Sequence, residues 1–103
     1  VSPAGPTDGP RATVRHRPER SRYELLLDGE VIGFADYHLD GEVVVLPHTV
    51  VDPAHRGRGL AELLVGEVLD ELRAQGRRVR PDCWYVARHL RLHPEHADLA
   101  ADR

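Results

Sequence analysis

The sequence predicts an α/β fold in the loose sense, an α+β arrangement. A mostly antiparallel sheet carries one main helix and two short C-terminal helices. Three observations predict it. Asp28-Gly29 and Asp40-Gly41 separate three β-rich runs, which is hairpin chemistry. Ala61, Leu64, Val65, Val68, Leu69 and Leu72 fall at i, i+3, i+4, i+7, i+8 and i+11, one apolar stripe of a helix laid on a sheet. After that helix, Pro81 and Pro94 divide what remains into short segments.

The elements follow in chain order. Val1 to Arg11 has three prolines, two glycines and no apolar period. It is expected to be a disordered tail, leaving 12–103 as a single domain with one modest core. Thr13–Arg17 reads as a short edge strand ending before Pro18. Tyr23–Leu27, Val31–Leu39 and Glu42–Val51 read as an antiparallel meander. Pro47 interrupts the last run and marks a bulge or an unpaired edge, because proline has no N–H for the ladder. The main helix is expected from about Arg58 to Gln75, with Gly76 closing it. Gly66 costs that helix about 1 kcal/mol of propensity, and close packing on the sheet would explain it. Arg77–Arg80 reads as a further strand stopped by Pro81. Asp82 is the expected N-cap of a short helix, Cys83–Leu92. Pro94 opens a last helix through about Ala101.

Composition narrows the function classes. The formal net charge is −3, which disfavours a dedicated nucleic-acid binder. All 14 basic residues are Arg, so no lysine of this chain is a catalytic amine. The single cysteine allows no intrachain disulfide and fits a reducing compartment. No apolar run nears the roughly 18–20 residues of a membrane span, and no signal-peptide pattern opens the chain. A cytoplasmic location is the expectation, with no membrane partner.

The most informative stretch runs from His48 to Ala61. β-formers end in Asp52-Pro53, Gly57 and Gly59 follow two residues apart, and the main helix begins at once. Glycine admits close backbone approach, and a helix N-terminus presents unpaired N–H groups with a partial positive charge. Together they cradle a phosphate-bearing ligand. A Walker loop needs Gly-Lys-Ser/Thr, and the chain has no Lys. The dinucleotide fingerprint needs a small residue where Glu62 stands, within a βαβ unit.

Arg56-Gly-Arg-Gly-Leu-Ala61 on strand–loop–helix resembles the pyrophosphate loop of the GNAT acetyltransferases, which bind acetyl-CoA. His48-Thr49, Pro81-Asp-Cys-Trp-Tyr-Val86 and His93-Pro-Glu-His-Ala-Asp-Leu99 resemble blocks of the small YjdJ-type branch, and the likeness covers roughly Arg22 to Leu99. Two positions depart. Ala54 stands where the superfamily usually has Gln or Arg, and Trp84 where the branch usually has Pro after its cysteine. The resemblance implies a GNAT-like fold and acetyl-CoA as cofactor. It also implies transfer of an acetyl group to an amine of a protein, peptide or small molecule.

Site roles follow from that resemblance and from residue chemistry. Backbone groups of Gly57, Gly59, Leu60 and Ala61 would anchor CoA, with Arg56 and Arg58 as phosphate partners. In the GNAT pattern the strand before the loop is bulged and its free N–H groups hold the acyl carbonyl, which places Thr49, Val50 and Val51 at the cofactor. A donor of this kind is worth ~3 kcal/mol of barrier. His48 is a candidate base, or places a water, because only about one alkylamine in a few thousand is neutral near pH 7. It reads equally as a structural strand-end histidine. Cys83 is a candidate acyl-accepting nucleophile if the helix N-terminus lowers its pKa. The alternatives are a pocket-lining thiol or a buried core cysteine. Tyr85 is either a general acid for the thiolate or an aromatic anchor. His89, His93 and His96 invite a metal reading, the first two at a ligand spacing, but Pro94 breaks the helix before the third, no Cys or acidic set stands at ligand spacing, and no metal is expected. The Arg77–Arg80 cluster reads as a CoA-phosphate patch or a solvated edge.

The reading adopted is an acetyl-CoA-dependent N-acyltransferase. Its rivals are a CoA-binding module without turnover and an Arg-rich nucleic-acid adaptor. The chain is short for this fold, so the acceptor side is expected to be open, or completed by a partner subunit in a homodimer.

Overall fold

The structure, a computed structural model, describes residues 12–55, 57 and 59–101. The expected tail, 1–11, and the two phosphate candidates Arg56 and Arg58 lie outside the described residues.

Five strands form one sheet in sequence order: β1 (Ala12–Arg17), β2 (Arg22–Leu27), β3 (Glu30–Asp40), β4 (Val43–Val51) and β5 (Arg78–Arg80). The first four pair antiparallel and β5 pairs parallel to β4. The first hairpin turns through Asp28 (φ 52°) and Gly29 (φ 88°), both positive as a type I′ turn requires. The second differs from the expected repeat of that chemistry. β3 runs on through Asp40, so Gly41 and Glu42 are the central pair. Of those two Gly41 alone has positive φ, 63°, as at the first central position of a II′ turn.

The β3–β4 register breaks between Asp36↔His48 and His38↔Val45. Two residues of β4, Leu46 and Pro47, face the single Tyr37, so the bulge lies where proline removes a donor. The β2–β3 register also shifts, beside Leu25 and Leu26. Gly33 sits where the β3 backbone closes on β4. A Cβ there would lie 2.6 Å from the Val50 carbonyl oxygen.

The main helix, α1 (Leu60–Ala74), starts two residues later than expected, with Gly59 at its N-cap. It ends in a Schellman motif: Arg77 N–H donates to Leu72 C=O and Gly76 N–H to Arg73 C=O, both at 3.0 Å. The apolar stripe is buried at Leu64, Val65, Val68, Leu69 and Leu72. It packs on Tyr23, Leu25, Ala35, Val44, Leu46 and Val79 of the sheet. Tyr23 donates its phenol to Glu71 at 3.1 Å, tying β2 to α1. Burial first, then Glu71, holds that phenol well above its ordinary pKa.

The second helix, α2 (Trp84–Leu92), adds Val86 and Leu90 to the same core. Its cap corrects the sequence reading. The N-cap is Cys83, in extended conformation and without a side-chain cap bond, and Asp82 lies one residue outside. The last element is a helix opened by Pro94 as expected, but of 3₁₀ type and ending at Leu99, two residues before Ala101. From there Ala101 N–H reaches Val79 C=O at 2.7 Å, so the chain end runs beside β5.

Gly66 is likewise not explained by the sheet. It faces α2, and a Cβ there would meet only His89 Cε1, at 4.0 Å. Gly66→Ala therefore removes backbone entropy from the unfolded chain without a clash. The expected result is stabilisation by about 0.5–1 kcal/mol in urea unfolding. A loss of stability would show that this seam tolerates no added carbon.

Candidate active site

β4 and β5 hold together only over Val43–Val45 and Arg78–Arg80. One further bond, Cys83 N–H to Leu46 C=O at 2.9 Å, closes the apex of the fork. Beyond it β5 turns away at Pro81, α2 begins, and the outer edge of β4 borders a cleft. That cleft, about 620 Å³, is lined by Thr49, Val50, Val51, His55, Gly57, Gly59, Leu60, Ala61, Trp84 and Tyr85.

The β4 edge presents donors to it. Asp52 N–H donates to Ile32 C=O at 2.7 Å, and the pairs Phe34↔Val50 and Asp36↔His48 continue that register. In an antiparallel ladder alternate residues point their amides to the same neighbour. Val50 and His48 thus face β3, and the N–H groups of Thr49 and Val51 turn outward to the cleft. Thr49 Oγ1 is buried there without a partner among the described residues, a polar atom suited to a ligand or water.

The floor is the start of α1. Gly57 (φ 81°) and Gly59 (φ 72°) both occupy the left-handed region, and a Cβ on either would meet nothing within 4 Å. The first intrahelical bond is Leu63 N–H to Gly59 C=O, 3.0 Å. The N–H groups of Leu60 and Ala61 therefore have no intrahelical acceptor, and no side chain caps this end. Glu62, the acid of the first turn, would oppose an anion there, but it is turned to His93, Oε2 to Nε2 2.6 Å. This combination of open glycine backbone, orphan donors and a dipole suits a phosphate-bearing ligand.

The structure thus brings Thr49, Val50, Val51, Gly57, Gly59, Leu60, Ala61 and Tyr85 to one cleft. It sets the two proposed catalytic side chains apart from that lining. Cys83 is 7% exposed within the core cluster. It is the N-cap of α2 and makes no side-chain cap bond. His48 lies on the row Arg22↔Asp36↔His48, opposite the face that turns Tyr23, Ala35 and Thr49 to α1. Its side chain is 57% exposed, and its Nε2 is 3.2 Å from Asp36 Oδ2. Arg22 Nε donates to the other oxygen of that carboxylate at 3.1 Å.

Two lining residues were missed in sequence. His55 ends the 3₁₀ turn Pro53–His55. Asp52 shapes that turn by accepting from Ala54 N–H at 3.0 Å and from His55 N–H at 2.9 Å. The imidazole lines the cleft with Nδ1 buried and unpartnered among the described residues. The Asp-Pro pair was a usable signal for this turn. Trp84 is 71% exposed at the cleft wall, edge-on to Tyr85. An exposed indole at the start of a helix marks a contact surface more often than a core position.

Residues 22–99 match the GCN5-related N-acetyl-transferase family. The chain belongs to that family. Protein NATD1 of Bos taurus is 30% identical over 97 residues, 91% of this chain and 85% of NATD1. The solution structure of a GCN5-like protein from Staphylococcus aureus superposes with a TM-score of 0.68 at 14% identity, covering 86% of this chain and 87% of that one. PaiA N-acetyltransferase of Thermoplasma acidophilum, in complex with coenzyme A, gives a TM-score of 0.54 at 16% identity. It is matched over 58% of this chain and 38% of its own, so the present chain spans well under half of PaiA. The likeness to these two solved structures shows the fold alone. No helix among the described residues is long and apolar enough to cross a membrane.

Proposed function

We propose that this chain is a small acetyl-CoA-dependent N-acyltransferase of the YjdJ-type branch. It moves an acetyl group to an amine of a protein, peptide or small molecule. One observation carries the reading: free backbone donors on the β4 edge meet a double-glycine helix N-terminus in a single cleft. The CoA complex of PaiA lends support through its shared fold alone.

The chain's own groups divide the work as follows. Gly57, Gly59 and the N–H groups of Leu60 and Ala61 hold the pyrophosphate. Arg56 and Arg58 stand beside it in sequence as phosphate partners. Thr49 and Val51 N–H groups orient the thioester carbonyl and draw off its developing charge. Val50 and Tyr85 line the acyl arm. The thioester, when bound, supplies the activated acetyl. The amine attacks it directly, and His48, oriented by Asp36, takes the amine proton from the side of the sheet away from α1. The bond to the CoA sulfur breaks, and Tyr85 or water returns a proton to the thiolate. Cys83 packs in the core and does not carry the acetyl. The open acceptor side suits a protein or peptide amine, or completion by a second copy of the chain. A cytoplasmic location belongs to this proposal, because the single cysteine suits a reducing compartment.

The test is a set of transfer assays with acetyl-CoA and a panel of peptides and small amines. Intact mass is read on the protein itself. Expected are amine-dependent release of CoA, no acetyl adduct on Cys83, and most of the rate retained in Cys83→Ala. An adduct at Cys83 with abolished transfer in Cys83→Ala would replace direct attack by a thioester route. Tight CoA binding with no transfer to any amine would favour the CoA-binding module.

A further inference from the structure

We propose that Glu62, His89 and His93 bind a first-row divalent cation of the zinc class at the seam between α1 and α2. His89 on α2 and His93, the C-cap of that helix, stand four residues apart and meet on one side of it. Their rings stack at 4.0 Å between centroids, 21° from parallel. The acidic ligand that sequence spacing lacked comes from the other helix: Glu62, in the first turn of α1. One ligand atom from each residue lies within 4.8 Å of the others. Around zinc, bonds of about 2.0–2.1 Å set tetrahedral ligands roughly 3.3–3.4 Å apart. Small side-chain rotations cover that difference. Room for them exists, since Glu62 is half exposed and the cleft here, about 260 Å³, is bordered by the bare backbone of Gly66. Two imidazoles and one carboxylate, with a position left for water, form a ligand set that zinc takes.

The surrounding groups orient both rings as outer partners of a metal site do. His96 Nε2 is 2.8 Å from Asp70 Oδ1, and His96 Nδ1 is 3.3 Å from His89 Nε2. The tautomers that satisfy this chain put a proton on His96 Nε2, donated to Asp70, and one on His89 Nε2, donated to His96. His89 Nδ1 then carries the lone pair for an ion. On His93, Nδ1 lies 3.3 Å from Glu95 Oε2, a partner for its N–H. Nε2 remains for the ion at 2.6 Å from Glu62 Oε2. The cation displaces the proton shared between His93 and Glu62 into solvent. It staples the first turn of α1, beside Leu60 and Ala61, to the helix that carries Trp84 and Tyr85. The bland alternative is that the same groups only satisfy one another as an ion-pair network.

The test uses the full chain, stripped with chelator and titrated with Zn²⁺ by calorimetry and with Co²⁺ by visible absorption. Expected are one equivalent bound, a rise in melting temperature with added Zn²⁺, and the intense visible bands of four-coordinate Co²⁺. His93→Gln, at a partly buried position, and Glu62→Gln, at an exposed one, should each weaken Zn²⁺ by more than the roughly 10–100-fold that loss of an outer partner costs. His38→Gln, on exposed β3, should leave it unchanged. Failure to bind Zn²⁺ in the micromolar range, or affinity untouched by His93→Gln and Glu62→Gln, would overturn the proposal in favour of the ion-pair network. Neither result depends on whether acetyl-CoA binds.

Discussion

Gly59→Val should abolish coenzyme A binding and leave the fold largely intact. Gly59 is the N-cap of α1 at φ 72°, a conformation that costs a β-branched residue roughly 1–2 kcal/mol. That cost alone does not unfold the domain, because a Cβ there meets no neighbour within 4 Å. On the proposed function, that free space is the ligand's. A valine side chain would project over the N–H groups of Leu60 and Ala61, where the pyrophosphate is proposed to lie, and would shield the positive end of the helix. Gly76→Val separates the two effects. Gly76 has nearly the same φ, 73°, and equally open surroundings, but it closes the far end of α1. It should lose comparable stability and keep affinity. Calorimetry with CoA and thermal unfolding of both variants check this. Wild-type affinity in Gly59→Val would place the anchor elsewhere.

Gly33→Ala should destabilise the chain by about 2–3 kcal/mol, the range of forced overpacking. For a domain of this size that lowers the melting temperature by roughly 10–20 °C. The added carbon would sit 2.6 Å from Val50 O and 3.2 Å from both Cα and Cγ2 of Val51. The nearest atoms are backbone, so no rotamer change relieves the clash and the β3–β4 ladder must open. Val50 and Val51 line the cleft, so CoA affinity should fall with stability. The change is opposite in sign to Gly66→Ala, although both replace a buried or half-buried glycine by alanine. An unaltered melting temperature would mean that β4 moves aside freely, and would undercut the rigid donor edge on which the proposed carbonyl contact rests.

Features governed by local chemistry were legible in the residues. Asp28-Gly29 turned as expected, because both residues accept positive φ. The stripe from Ala61 to Leu72 set the helix and its buried face, because 3.6-residue periodicity needs no knowledge of the partner. Pro47 marked the bulge, because it has no N–H to give. The second turn and the α2 cap were misplaced by one residue. There two adjacent residues compete for one role, and the longer strand and the Cys83–Leu46 bond decided between them.

Side-chain destination was less legible. His48 and Thr49 are neighbours in sequence, yet strand alternation sends one to the exposed face and the other to the cleft. Which face holds the cleft depends on where α1 packs. Cys83 does stand at a helix start, but the shared core buries its side chain there. His55 enters the cleft because the Asp52 turn aims it there.

The chain's residues by themselves determined the hairpins, the stripe of α1 and the glycine pair that opens it, since each depends on backbone freedom or on spacing within one element. The tertiary structure alone decided that β5 lies parallel to β4 and parts from it after Arg80, that Thr49 and Val51 turn free donors to the gap, and that Glu62 meets His89 and His93. Those depend on contacts between segments far apart in the chain, whose relative placement is set by burying one shared core.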